Sequence, residues 1–297
     1  MIGPDVFACL ACRAPGLKAS AEAWRCSGCG ALYPVEDGIP LLVRDPAAHR
    51  QRLAQSQADN PEWYAVPQPP ESVSPWHHHL RKRRRYVQGR IARHLRGRGQ
   101  ERAERLLDLG CGDGTNLAWL KDHAERLYGS DYNGLRLLRA ARRATGATLF
   151  LADILDYPAA ADSFDVVFFN HVIEHVPDDV GALRAVLRIL TPGGLLVLGT
   201  PNEGCWWWQW AYRRAPEVLK GTDHVHFYTG LTIGSKLIKA GFRLLETHYM
   251  GWGPPDWALD GRIRQHRWVD DALEAVGRVL LPHQASSLYL LATKEAR

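Results

Sequence analysis

Three groups of residues have types and spacings that could do chemistry. In NHVIEHVP (Asn170–Pro177), the pentapeptide HVIEH fits H-x-x-E-H, where two imidazoles and a carboxylate bind a metal in one class of zinc peptidase. Four of the six cysteines form two pairs, Cys9-x2-Cys12 and Cys26-x2-Cys29. Two such turns brought together present four thiolates in the tetrahedral arrangement of a structural Zn2+. The alternatives, disulfides or free thiols, are disfavoured because a reducing cytoplasm opposes disulfides. Cys111 and Cys205 have no partner in sequence. Third, RLLDLGCGDG (Arg105–Gly114) is an apolar run entering a glycine-rich turn. There Gly110, Gly112 and Gly114 let the backbone bend sharply and approach a ligand where a Cβ would collide.

What positions these residues decides among their chemistries. FDVVFFN (Phe164–Asn170) is β-branched and aromatic and reads as a strand, so HVIEH starts at a strand end and meets Pro177 directly afterwards. A peptidase needs both histidines on one face inside a helix, which this context does not supply. The metal-hydrolase reading is therefore rejected. The glycine turn is followed by TNLAWLKDH, which reads as a helix. Strand, turn and helix in that order are what a nucleotide site requires. RLYGSD (Arg126–Asp131) and TLFLAD (Thr148–Asp153) read as further strands that each end in an acid. Open α/β sheets bind ligands at the carboxyl ends of their strands, which places Asn170, His171, Glu174 and His175 near the ligand.

The turn's spacing, D-x-G-x-G-x-G from Asp108, resembles motif I of class I S-adenosylmethionine-dependent methyltransferases. NHVIEHVP is similar to the strand-four region of their ubiquinone-biosynthesis-type (methyltransferase-11) group. The resemblance runs from Leu80 to Lys294 through LTPGGLLVLGTPN (Leu190–Asn202), a helix at Thr229–Gly241, and strands at Phe242–Tyr249 and Ser286–Lys294. Asp256–Leu281 is a longer insertion than that family leads one to expect. The resemblance implies an α/β, Rossmann-like, seven-stranded and mostly parallel sheet with helices on both faces. It implies S-adenosyl-L-methionine as cofactor, with Asp108 on the amino group of the methionine part and Asp131 accepting both ribose hydroxyls. It also implies Asp153 beside the adenine amino group and Ile154 on the adenine face. Gly110, Cys111, Gly112 and Gly114 form the turn, and Tyr132, Asn170 and His171 complete the cofactor-binding set.

Phe7–Val43, ending in YPVEDGIPLLV, resembles a family of small zinc ribbons similar to the activator subunit of tRNA and protein methyltransferases. Cys9, Cys12, Cys26 and Cys29 would be its zinc ligands, and a closed set of four leaves no position for chemistry. The implied organisation is a ribbon at 1–45, a linker at 46–76 and a methyltransferase domain at 77–297. The linker contains six prolines and reads as irregular. A helix is expected from Trp76, with Leu80, Val87, Ile91 and Leu95 on one face.

The acceptor is less legible. Methyl transfer to a hydroxyl calls for a base, and His175 and His224 are the candidates, each with a structural hydrogen-bonding role as the competing reading. CWWWQWAYRR (Cys205–Arg214) reads as a lid over the site, a Trp/Arg surface for peripheral membrane contact, a stacking surface for sugars or bases, or a helix packed on the core. TDHVHFYT (Thr222–Thr229) resembles a family element that follows such a lid, where His224 and His226 would face an acceptor or serve only structurally. The leading acceptor is a small molecule, glycan or lipid-linked biosynthetic intermediate, and the alternative is rRNA or tRNA. Supporting the alternative, eleven of the 37 Lys/Arg fall between His77 and Arg105. Against it, the strand-four loop lacks Asn-Pro-Pro-aromatic, no Pro-Cys occurs, and an arginine run is commonly a solvated helix face. A third reading, a scaffold that binds the cofactor or a partner without catalysis, conflicts with an intact glycine motif and Asp131. No apolar run reaches membrane-spanning length and no secretory signal opens the chain, so a cytoplasmic location is expected.

Overall fold

Apolar runs buried on both faces build the sheet that holds the glycine turn. The computed structural model describes residues 6–59, 61, 66–69, 71–143, 145–220 and 223–295; Pro70 and Thr222 lie outside that set. The cysteine-rich front carries β1 (Leu17–Lys18), β2 (Ala23–Cys26), β3 (Leu32–Glu36) and β4 (Ile39–Leu42). The body carries β5 (Ala103–Leu109), β6 (Ala124–Asp131), β7 (Thr148–Ala152), β8 (Phe164–Asn170), β9 (Leu190–Pro201), β10 (Arg243–Met250) and β11 (Ser287–Thr293). Their order is β1-β2-β3-β4-β7-β6-β5-β8-β9-β11-β10. Within the body only β11 runs against its neighbours, which agrees with a seven-stranded, mostly parallel sheet.

Alternation along each strand feeds two cores. Leu107 and Leu109 of β5, Val167 and Phe169 of β8, and Leu196 and Leu198 of β9 face one side. Helices α4 (Asp179–Ile189) and α6 (Gly230–Ala240) cover it through Leu183, Val186, Ile233 and Leu237. Leu106, Val166, Phe168, Leu195 and Val197 face the other side, against Val87, Ile91 and Leu95 of α2 (His77–Gly97) and Leu137 of α3 (Gly134–Arg142). Continuous apolar strands buried on both faces are what a parallel sheet demands.

Two features go beyond the sequence reading. First, the cysteine-rich front joins the body sheet. Its β4 pairs in parallel with β7, Leu41 opposite Leu151 and Leu42 opposite Ala152, and so extends the body sheet. Phe7 is buried between Trp24 of the ribbon and Phe150 of β7, with ring centroids 5.0 and 4.9 Å away. Second, the connection expected to be irregular begins with the helix α1 (Pro46–Asp59). Asp45 caps it, its Oδ1 accepting from the Ala48 N–H at 2.9 Å, and Pro46 occupies the first helical position. A proline there costs no hydrogen bond, because that N–H has no partner within the helix anyway. Reading the prolines only as breakers hid the helix.

Among the described residues the remaining helices of eight residues or more are α5 (Trp206–Arg214), α7 (Trp257–Arg264) and α8 (Arg267–Leu280); the last two form the insertion. TNLAWLKDH, read as a helix, makes only the short helical turns Leu117–Leu120 and Lys121–His123.

Candidate functional site

The carboxyl ends of β5, β6, β7 and β8 surround a cavity of about 430 Å3. Of the sequence-predicted residues, Gly110, Asp131, Tyr132, Asp153, Ile154, His171 and His175 line it. Asp108, Cys111, Gly112, Gly114, Asn170 and His224 do not reach its wall. Each of these has a definable place behind it.

The turn itself explains three of them. Gly110, Gly112 and Gly114 have φ of +75°, +53° and +76°, a region costly for any residue with a Cβ. A Cβ on Gly110 would lie 2.2 Å from Cγ2 of Val172, which lines the cavity. Gly114 packs on Ala140 of α3. Cys111 donates its N–H to Ser130 at 2.9 Å and turns a buried thiol inward, towards Gly129.

Three carboxylates stand at or behind this cavity, each in a different setting. Asp108 is 1% exposed and its Oδ2 has no hydrogen-bond partner. Burial, then the nearby Asp131 charge, pushes its pKa up to about 8. A cation beside it would favour the ionised form and lower that pKa, but the residue stands behind the cavity wall and not on it. Asp131 is also raised by burial, but its carboxylate accepts from the N–H groups of Gly112 and Asn133, each at 2.8 Å. These two bonds fix its orientation at the end of β6. Asp153 caps the short turn Ile154–Asp156, accepting from the Leu155 N–H at 2.9 Å.

At the β8 end the peptide HVIEH forms one 3-10 turn, Ile173–His175, and no helix interior. His171 sits at φ +54°, an uncommon backbone state beside a cavity, with Nδ1 3.4 Å from Glu174 Oε1. Asn170 points back, its Oδ1 accepting from the Tyr289 hydroxyl at 3.0 Å. Glu174 is 1% exposed and accepts from Thr200 Oγ1 at 3.1 Å.

Two histidine–carboxylate pairs meet here. His175 Nδ1 lies 2.9 Å from Asp223 Oδ1, and His224 Nδ1 lies 2.6 Å from Glu203 Oε2. The two imidazoles are 4.8 Å apart in an edge-to-face arrangement. Glu203 also accepts from the Tyr212 hydroxyl of α5 at 2.6 Å. Burial would lower the His224 pKa, but the hydrogen bond and charge of Glu203 outweigh it and raise the group. His175 and Asp223 are on the cavity wall, whereas His224 stands behind His175. His226 instead contacts the carbonyls of Val176 and Pro177 at 3.1 and 3.2 Å, which fastens its segment to the β8 loop.

The tryptophan-rich α5 does not line the cavity. It buries Trp208 and Tyr212 in a small core of their own and backs the Glu203–His224 pair. Sequence reasoning missed Arg52, Asn133, Arg136, Val172, Glu203 and Asp223. Only Asn133 carried a local signal, being the N-cap of α3.

Two groups of side chains could hold a metal ion among the described residues. Ligand atoms of Glu174, His175 and His224 lie within 4.8 Å of one another, as do the thiols of Cys9, Cys12, Cys26 and Cys29. The Cys9–Cys29 and Cys12–Cys26 sulfur distances are both 3.6 Å. Thiolates about 2.3 Å from a tetrahedral zinc stand about 3.8 Å apart, so the four residues fit that ion. Burial would raise the Cys9 thiol, yet the Tyr33 hydroxyl at 3.2 Å and nearby backbone groups bring it down to about 6.

The basic segment is largely engaged within the fold. Lys82 pairs with Asp270 and Asp271, Arg84 with Glu71, and Arg90 with Glu246, while Arg83 donates to Asn116. Arg81, Arg85, Arg93 and Arg96 are exposed. Among the described residues no helix is long and apolar enough to cross a membrane.

A methyltransferase-domain family matches residues 78–247. A Mycolicibacterium smegmatis protein assigned as an S-adenosylmethionine-dependent methyltransferase is 30% identical over 41% of this chain and 45% of its own length. A ubiquinone biosynthesis O-methyltransferase of Cereibacter sphaeroides is 30% identical over 52% of this chain and 66% of its own. The chain thus spans less than half of the first relative and about two thirds of the second. A solved structure assigned to a sarcosine dimethylglycine methyltransferase of Galdieria sulphuraria shares the fold, with a TM-score of 0.52 at 16% identity over 72% of this chain and 86% of its own. The family match extends over more than half of the chain, and the chain belongs to that methyltransferase family.

Proposed function

We propose that this family member transfers the methyl group of S-adenosyl-L-methionine to a hydroxyl of a small molecule, glycan or lipid-linked intermediate. The observation that carries the reading is His175, held by Asp223 on the wall of a cavity that Gly110, Asp131 and Asp153 also line. When bound, the cofactor supplies an electrophilic methyl on a sulfonium.

The chain's own residues do the rest. Asp131 offers a carboxylate to a ribose, Asp108 reaches an ammonium from behind the wall through water, and Asp153 and Ile154 offer an acid and an apolar face to an adenine. Val172, Val176 and Pro177 line the wall with apolar surface and keep water from the reacting end. The imidazole of His175 takes the proton of the acceptor hydroxyl, and Asp223 stabilises the imidazolium that results. His224, made more basic by Glu203, stands next in line.

Cys9, Cys12, Cys26 and Cys29 hold a structural zinc in a ribbon at 1–45, ahead of a connection at 46–76 and a catalytic region at 77–297. Six free cysteines, with four close enough for a metal, suit a reducing compartment such as the cytoplasm. A second reading of Glu174, His175 and His224 is a divalent cation that binds the acceptor oxygen, favoured by their 4.8 Å clustering. Methylation of RNA is the weaker alternative, since much of the basic segment is taken up by internal pairs.

Calorimetry with S-adenosylhomocysteine tests the cofactor, and radiolabelled methyl transfer to panels of hydroxylated acceptors and to RNA tests the substrate class. His175→Ala and His224→Ala are expected to retain cofactor affinity while kcat falls by about 10^2-fold or more for the first. Unchanged kcat in both variants removes the base. Activity abolished by a chelator and restored by a divalent ion, in protein whose ribbon zinc is retained, favours the cation.

A further inference from the structure

The family match begins at residue 78, yet Arg52, ahead of it, lines the cavity, and other residues ahead of it brace the wall from behind. Contacts from several parts of that segment show this. Asp156 ends the short turn whose Asp153, Ile154 and Leu155 all line the cavity. Its carboxylate is gripped by two arginines from the N-terminal module: Arg13, directly after Cys12, and Arg44, whose Nε donates at 2.5 Å. On the neighbouring strand end, His49 of α1 contacts the Tyr132 carbonyl at 2.9 Å and its ring packs on the Tyr132 ring at 4.3 Å. One turn further along, Arg52 donates from Nε to the Tyr132 hydroxyl at 3.1 Å and is itself on the cavity wall. Beyond α1, the Gln68 N–H donates to Asp113 of the glycine turn at 2.8 Å. The parallel pairing of β4 with β7 sets the register, because Leu42 lies opposite Ala152, another wall residue.

We infer that the segment ahead of the family-matched region is a working wall of the cofactor site. In it Arg52 is a direct binding residue for the purine nucleoside, and Arg13 and Arg44 are positioning residues acting through Asp156. The inference rests on the reading of the cavity as the S-adenosylmethionine site. Its physical basis is pre-organisation. A short turn at a strand end has few bonds of its own, and two guanidiniums on its last carboxylate hold it in one arrangement before the ligand arrives. Burial would raise the Asp156 carboxyl, but Arg44 and Arg13 hold it below the usual range, so the anion they grip is the resident form. A guanidinium in the position of Arg52 offers a flat cation to the face or edge of a purine, which a lysine cannot reproduce.

The test uses the full-length, zinc-loaded chain and S-adenosylhomocysteine in calorimetry. Arg52→Ala is expected to weaken binding about tenfold, and Arg52→Lys to restore little of it. Arg13→Ala with Arg44→Ala is expected to weaken it about three- to tenfold. Asp156→Asn should match that pair and add nothing when combined with it, whereas Asp156→Glu should recover most of the affinity. In turnover, the KM for S-adenosylmethionine should rise in all weakened variants while the KM for the acceptor stays unchanged. Affinities within about twofold of the parent chain for Arg52→Ala and the double variant, with zinc content and melting temperature preserved, overturn the inference. So does a loss of binding that tracks only the unfolded fraction. If the parent chain itself binds no S-adenosylhomocysteine, the cofactor reading fails first and takes this inference with it.

Discussion

Gly110→Ala separates backbone strain from ligand exclusion at the turn. The residue sits at φ +75°, where a Cβ costs about 1–2 kcal/mol from local sterics alone. Strain of this size lowers the melting temperature by about 2–4 °C per kcal/mol. Gly38 supplies the control, with φ +79° and nothing within 4 Å of a new Cβ, so Gly38→Ala carries the strain without a collision. At Gly110 the Cβ would also lie 2.2 Å from Val172 Cγ2. That methyl must move, and Val172 is part of the cavity wall. The expected result is a similar loss of melting temperature in both variants, but an at least tenfold rise in the Kd for S-adenosylhomocysteine only in Gly110→Ala, equivalent to about 1.4 kcal/mol. Adding Val172→Ala removes the offending methyl and leaves the Val172 Cβ at 3.3 Å, a tight contact that small shifts relieve. Much of the affinity should then return while the melting temperature stays low. Calorimetry and thermal unfolding on the four proteins suffice. Unchanged affinity in Gly110→Ala, or no recovery in the double variant, would refute this account of why glycine stands there.

Two further outcomes follow from the metal module and the paired histidines. Removing the proposed zinc with a chelator should lower the melting temperature by more than about 5 °C, because Phe7, Leu17 and Trp24 of the cysteine-rich front belong to the main core cluster; an unchanged melting curve after verified metal loss would contradict this. Glu203→Gln should lower the raised pKa of His224, which is seen by following its ring protons in NMR titrations. A folded value raised above the ordinary 6.5 means that the Glu203–His224 pair stabilises fully below that pH and loses its contribution as pH rises through the folded value. Melting temperature measured across pH 5–9 should therefore fall with rising pH in the parent chain relative to Glu203→Gln, and parallel curves would remove the pair from the stability account.

How much of this could be read from sequence depended on how local the determining physics is. The glycine turn was legible because a positive φ leaves its mark on one residue, and three such residues after an apolar strand leave little freedom. The rejection of HVIEH as a peptidase motif was legible for a similar reason, since Phe164–Asn170 and Pro177 bracket it; the structure duly makes a single 3-10 turn there. Glu203 and Asp223 were not legible. Nothing beside Glu203 in TPNEG announces a buried acid, and its role exists only because β9 and the 223–229 segment converge on one spot. The same holds for β4, a four-residue apolar strand that could have closed the ribbon alone. Its pairing with β7 is set by a surface more than a hundred residues away in the chain. The α1 error is the more instructive. Pro46 was counted as a breaker, yet directly after the capping Asp45 a proline starts a helix as readily as it ends one. Because that helix was missed, Arg52 was missed too, and with it the wall through which the front of the chain reaches the cavity. An error in one local rule therefore propagated into the site, since a helix start decides which side chains, one turn apart, arrive together.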